Sequence, residues 1–258
     1  MEIDLRDKVA LVTGSAQRVG RSIALALAQQ GMHVLVHYSR TPAEQVEATL
    51  GELRAQGVQA QAVQANLAEP EGVAATMDAL QQHFGRLHLL VNSASVFPGG
   101  HLLDVTLESW DLTMNVNLRA PFLFTQAAAP LLRQHDEGGA IVNIVDQGAT
   151  APWPKRPQHG ISKAALWMLT QVSAASLGPQ IRVNAVCPGP VLIPPGMPEE
   201  NWARMGRTLP LKRTGSGDDV AQAVIFLARQ PFVTGTLLHV NGGEHLHWPR
   251  DHWHDGED

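Results

Sequence analysis

Cysteine and tyrosine are almost absent from this sequence: Cys187 and Tyr38 are the only ones in 258 residues. A single thiol cannot close an internal disulfide, which fits a reducing cytoplasm and argues against a disulfide-stapled secreted fold. No run of about 18 apolar residues occurs, so no membrane span is expected. The opening Met-Glu-Ile-Asp-Leu-Arg-Asp also lacks the basic-then-apolar order of a secretory signal. An excess of basic charge is missing too. The 19 Lys and Arg against 24 Asp and Glu give −5 with the 12 His neutral, which argues against a nucleic-acid partner. Aromatic residues are scarce at 5%, yet the hydrophobic fraction of 44% suffices to offset chain entropy and build one large core.

What is present is alternation. Residues 8–13 form a short apolar run ending in glycine, as a buried strand does. A helix pattern follows from Gly20 to Gln30, with Gly31 as its stop, and then a second apolar run from Met32 to Val36. Strand, helix and strand within about 30 residues make a right-handed βαβ unit. The pattern continues with strands near 58–63, 87–91, 140–145, 181–186 and 236–240. Helices fit 42–56, 71–84, 107–133, 160–177 and 218–229. These runs predict an α/β fold: a single-domain doubly wound (Rossmann) parallel sheet with helices on both faces. Residues 1–244 form that domain, and 245–258 form a His/Trp-rich acidic tail.

The first strand runs into Thr13-Gly14-Ser15-Ala16-Gln17-Arg18-Val19-Gly20. A glycine turn that opens a helix presents backbone N–H groups and a positive dipole end to an anion, and a Cβ would block a pyrophosphate. In this βαβ context the loop points to a dinucleotide. An NAD site would place an acid at the end of the second strand. Here the sequence reads His37-Tyr38-Ser39-Arg40-Thr41, with no acid until Glu44. A cation and hydroxyls suit a 2′-phosphate instead, so NADPH is the expected cofactor, with Arg18 as a second positive contact.

These segments, with Asn92-Ser93-Ala94-Ser95, Asn117, Lys163 and Pro188-Gly189, resemble the short-chain dehydrogenase/reductase family over almost the whole chain. More narrowly they resemble its pteridine reductase branch, through Arg18, the His37-Tyr38-x-Arg40 strand end, Phe97, and Asp146 where most members carry a catalytic Ser. The resemblance implies a cofactor site at Gly14, Arg18, Val19, Gly20, His37, Tyr38, Ser39, Arg40, Asn66, Leu67, Asn92, Ala94, Ser95, Lys163, Pro188, Gly189 and Val191. It implies catalytic roles for Asp146, Lys163 and Asn117, and a substrate site at Arg18, Ser95, Phe97 and Asp146. Phe97 would stack on a flat ring. The substrate would be a small molecule, a pterin or dihydrofolate-like compound reduced at a C=N bond, and the assembly a homotetramer. A 3-oxoacyl carrier protein reductase and a silent NADPH-binding homologue are the competing functions.

One position departs from the family. Its catalytic Tyr lies four residues before the Lys, where i, i+4 spacing stacks both on one helix face. Here that residue is His159. His159 as proton donor paired with Asp146, Asp146 acting with water, and a site that binds but turns over slowly are the three readings. Asp146 has a plainer role open to it as well, capping the turn after its strand. Helix positions Leu166, Trp167, Leu169 and Val172 serve a core or an interface equally well. In the tail, His245, His247, His252 and His254 have the donor type for a transition metal, but a frayed C-terminus is the preferred account, and no metal is expected.

Overall fold

The computed structural model describes residues 2–194 and 196–246. Seven parallel strands form one sheet in the order β3-β2-β1-β4-β5-β6-β7. They are β1 (Val9–Val12), β2 (His33–Tyr38), β3 (Ala60–Gln64), β4 (Leu89–Asn92), β5 (Gly139–Ile144), β6 (Ile181–Pro188) and β7 (Leu237–Val240). The helices are α1 (Arg18–Gln29), α2 (Ala43–Arg54), α3 (Pro70–His83), α4 (Leu107–Met114), α5 (Ala120–Leu132), α6 (Pro157–Leu177), α7 (Glu199–Thr208) and α8 (Gly217–Arg229).

Side-chain alternation along β1 explains the layering. Ala10 and Val12 face the core beneath α1, α2 and α8, with Ile23, Leu27, Leu50, Val220 and Val224. Val9 and Leu11 face the opposite core beneath α3 and α5, with Leu80, Phe124 and Leu132. Both faces are therefore buried, and the strands read as continuous apolar runs. Strand order reverses between β1 and β4, which opens a crevice at the carboxyl ends of the strands, where doubly wound sheets bind ligands.

Three elements differ from the sequence expectation. The helix expected over 107–133 is interrupted by a π turn, Asn115–Arg119, between α4 and α5. Such a turn holds one extra residue in the helix and re-aims the side chains around it. The second is α7, which the apolar pattern did not reveal because Gly206 is its only buried residue. Its ends carry dipole-matched charges instead, Glu199 and Glu200 first and Arg207 last. Helix α6 also begins three residues earlier than expected, at Pro157, so His159 stands in its first turn. Leu166 belongs to the core, whereas Ile161, Met168 and Val172 leave an exposed apolar face on the same helix. No helix among the described residues is long and apolar enough to cross a membrane.

Candidate active site

The glycine loop comes first, because the rest is braced against it. Gly14 has φ +65°, a left-handed conformation that glycine adopts at no steric cost, and an added Cβ would lie 2.9 Å from the Ala94 Cα. A Cβ on Gly20 would sit 2.3 Å from the Gly14 carbonyl oxygen. The Thr13 hydroxyl accepts from the N–H groups of Ser93 and Ala94 at 2.9 and 3.0 Å, which draws the β4 loop against the glycine loop. Arg18 opens α1 with φ +55°, costly for a residue with a Cβ. It is exposed, and neither it nor Arg40 forms an ion pair among the described residues. The first turn of α1 has no side-chain cap and no acid, whereas α8 carries a Ser216–Asp219 capping box. This close-packed backbone cradle at a helix end with no acid in its first turn fits a dinucleotide pyrophosphate, and exposed Ser39 and Arg40 fit a phosphorylated ribose.

His37 stands elsewhere than its place in the motif implied. Its side chain lies behind the loop, 2% exposed, and touches backbone rather than open cleft. The Gly14 N–H donates to Nδ1 at 3.1 Å, and Nε2 faces the Ala65 carbonyl at 3.1 Å. Burial pushes its pKa down to about 4, against the hydrogen bond to Ala65. His37 is thus a neutral brace, with Nδ1 as acceptor and Nε2–H as donor. Of the other cofactor candidates, Val19, Tyr38 and Gly189 are half-buried, and Asn66 is exposed while Leu67 is buried. Pro188, the last residue of β6, and Val191 beyond it are buried. Asn92 is locked in a buried chain, donating to Asn143 at 2.8 Å, and Asn143 in turn donates to Thr170 at 2.9 Å.

The proton-handling groups meet where β5 ends and α6 begins. Asp146 and His159, 13 residues apart, pair at 2.5 Å between Oδ2 and Nε2. The other carboxylate oxygen, Oδ1, accepts from the Gly148 N–H at 2.8 Å, so Asp146 also caps the short turn after β5. Burial alone would raise the Asp146 carboxyl. The hydrogen bond and charge of His159, then Lys163 and the Gly148 N–H, outweigh it and hold the carboxyl below its ordinary value. The second ring nitrogen of His159, Nδ1, lies 3.0 Å from the Val96 carbonyl. Nδ1 also lies 3.4 Å from the Asn117 Nδ2, so this nitrogen faces a carbonyl acceptor and an amide donor together. Exposure separates the pair: the His159 side chain is 2% exposed and that of Asp146 is 20%. Lys163, on the same helix, is buried and donates to the Ile144 carbonyl at 2.9 Å. Burial lowers its pKa, opposed by Asp146 and Cys187.

Asn117, in the π turn, organises this corner. Its Oδ1 accepts from Val96 N–H at 2.9 Å and from the Ser95 hydroxyl at 3.2 Å, and its Nδ2 donates to Val96 O at 3.0 Å and Ser162 Oγ at 3.1 Å. It thereby fixes both neighbours of His159, the Val96 carbonyl and the first turn of α6. Phe97 stands next to it, perpendicular to the His159 ring at 4.4 Å, while Trp153 lies parallel to that ring at 5.9 Å. Trp153, Arg156 and Ser162 were not among the residues picked from the sequence, since no motif links them to a site. Among the described residues no cluster of three or more His, Cys, Asp or Glu side chains is arranged to hold a metal. The tail histidines from His247 on lie outside the described residues.

Comparison with known proteins is consistent with this geometry. Residues 14–245 match a family pattern described as enoyl-(acyl carrier protein) reductase. A short-chain type dehydrogenase/reductase of Picea abies is 35% identical over 253 residues and covers 93% of each chain. The chain belongs to the short-chain dehydrogenase/reductase family. A curated member, 3-oxoacyl-[acyl-carrier-protein] reductase FabG of Staphylococcus aureus strain Mu50, is 36% identical over 245 residues, covering 93% of this chain and 98% of that protein. Among solved members, FolM Alternative dihydrofolate reductase 1 from Brucella canis, complexed with NADP, has a TM-score of 0.88 at 32% identity, covering 96% of this chain and 98% of that one. A blue fluorescent protein from a metagenomic library, in complex with NADPH, has a TM-score of 0.84 at 35% identity, covering 93% and 99%.

Proposed function

We propose that this protein is an NADPH-dependent reductase of pterin or dihydrofolate-like heterocycles, working at a C=N bond. The observation that carries the reading is the Asp146–His159 pair at the end of β5, an ionisable carboxylate where a carbonyl-reducing member uses a Ser hydroxyl. Likeness to the FolM dihydrofolate reductase supports it. NADPH, when bound, supplies the hydride. Gly14, Arg18, Val19 and Gly20 would hold its pyrophosphate end, Ser39 and Arg40 its 2′-phosphate, Lys163 its ribose, and Gly189 and Val191 its nicotinamide side.

The protein's own part is the proton. In this reading Asp146, the more exposed member, meets the substrate nitrogen, and His159 stands behind it with the proton shared between Nε2 and Oδ2. In this reading His159, a ring buried behind the carboxylate, does not meet the substrate directly. Lys163 adds positive charge that keeps the carboxylate ionised between turnovers. Ser95 and Arg18 are the substrate's polar contacts, and Phe97 its flat neighbour. The exposed Ile161, Met168 and Val172 face of α6 suits assembly into a homotetramer.

The second reading, a 3-oxoacyl carrier protein reductase, is favoured by the FabG relative. NADPH oxidation followed at constant enzyme with dihydrobiopterin, dihydrofolate and an acetoacetyl thioester separates the two. A higher kcat/KM with the pterins than with the thioester supports the proposal, and the reverse order replaces it. NADPH binding with no oxidation in any arm leaves the silent homologue.

A further inference from the structure

We propose that Arg156 is the specificity-determining residue of this site, selecting flat heterocycles by holding Phe97 as a fixed stacking wall; the inference rests on the pterin-type reading above. Arg156 grips residue 97 twice. Its Cζ lies 3.8 Å from the centre of the Phe97 ring, and its Nη1 donates to the Phe97 carbonyl oxygen at 2.8 Å. A planar guanidinium can do both at once, because its fork offers donors in the plane while its face lies on the ring.

The Phe97 segment needs such a hold. It leads into Pro98-Gly99-Gly100 and carries no helix or strand, and Gly100 has φ +139°, a conformation open mainly to glycine. The backbone tie at that end among the described residues is the Gly100 N–H to the Lys155 carbonyl, 3.0 Å, made to the residue beside Arg156. Residues 155 and 156 thus fasten the β4 loop to the start of α6. Phe97 is 50% exposed as a residue, while perpendicular ring contacts with His159 and Trp153 fix its tilt. A ring held in one pose gives a planar substrate its stacking energy without an ordering cost, and gives a non-planar acyl thioester nothing. Arg156 precedes α6 as its cap residue, but its side chain makes no cap bond, so truncation leaves the helix start intact.

The test uses the full chain with NADPH and two variants, Arg156→Ala and Arg156→Lys. KM and kcat are measured with dihydrobiopterin and with an acetoacetyl thioester, and equilibrium binding of dihydrobiopterin to the NADP⁺-loaded protein is read by tryptophan quenching. Arg156→Ala is expected to raise KM and Kd for dihydrobiopterin about tenfold with kcat within about twofold, the loss of one cation–π contact and one charge-assisted bond. Arg156→Lys, which keeps charge but not the fork, falls between. KM for the thioester stays unchanged. An unchanged dihydrobiopterin KM, or an equal kcat loss with both substrates, overturns the inference alone. A wild-type chain that neither binds nor reduces dihydrobiopterin overturns the pterin reading and the inference with it.

Discussion

Replacing His37 by Asn tests whether the brace behind the glycine loop is a buried neutral imidazole. In the unfolded chain its pKa is the ordinary 6.5, and in the fold it is about 4. The sign follows from proton counts. Above pH 6.5 neither state is protonated, between 6.5 and 4 only the unfolded state binds the proton, and below 4 both do. Stability is therefore lost as pH falls from 6.5 to 4, about 3 kcal/mol in all at 1.4 kcal/mol per unit. From pH 7 to pH 5 the loss from this residue is about 2 kcal/mol. Asn does not titrate, and its amide oxygen can still accept from the Gly14 N–H. His88, brought down to about 3 by burial and then by His135, Lys8 and Arg86, adds a similar slope in both proteins and cancels in the comparison. Urea unfolding, followed by the fluorescence of the six Trp at pH 7, 6 and 5, measures the difference. The variant starts less stable at pH 7, but its fall to pH 5 is smaller than the wild type's by about 2 kcal/mol. Parallel pH profiles, agreeing within about 0.5 kcal/mol, would refute the argument that burial holds His37 neutral.

Asp146→Asn removes the carboxylate charge while preserving shape, and kcat with dihydropterins is expected to fall at least about 100-fold with NADPH affinity unchanged; a wild-type pH–rate profile in the variant would contradict it. His159→Ala keeps the carboxylate but not its proton partner, so activity falls and its alkaline limb shifts, measured as kcat/KM against pH. Arg40→Asp is expected to reverse cofactor preference from NADPH towards NADH, read as the ratio of their dissociation constants by nucleotide fluorescence; a ratio left unchanged removes Arg40 from the 2′-phosphate site. Gly20→Ala forces a Cβ to within 2.3 Å of the Gly14 carbonyl. It should abolish NADPH binding in titration calorimetry and lower the melting temperature.

Much of the fold could be read from the chain because the rule that builds it is local. The central strands are apolar on both faces, and most breaks carry a glycine, so all seven strands lie within a few residues of where the sequence pattern puts them. Helix α7 escaped that reading because its order comes from terminal charges rather than a buried stripe. Site residues were legible only where they sit in a motif. Asp146 and Lys163 were picked by resemblance, and the fold brings Asp146 to His159. His37 was picked too, but for the cofactor, whereas the sheet register aims it at the Gly14 N–H and the Ala65 carbonyl. Arg156 and Phe97, 59 positions apart, carry no joint signal in a single sequence, because their contact exists only once the two strand-end loops are side by side.

The π turn at Asn115–Arg119 sets a phase relation that reaches well beyond Asn117. An α-helix turns about 100° per residue, so one extra residue shifts every side chain upstream by that angle relative to those downstream. Deleting a single residue here would restore a regular helix at no loss of backbone bonding, yet α4 and α5 could no longer both keep their faces. Either the Phe124 and Leu132 side would leave the core, or Asn117 would turn from Val96. The helix is thus a gearing between a packed half and a working half, and its odd tooth is what lets a rigid core and a hydrogen-bonding amide share one rod.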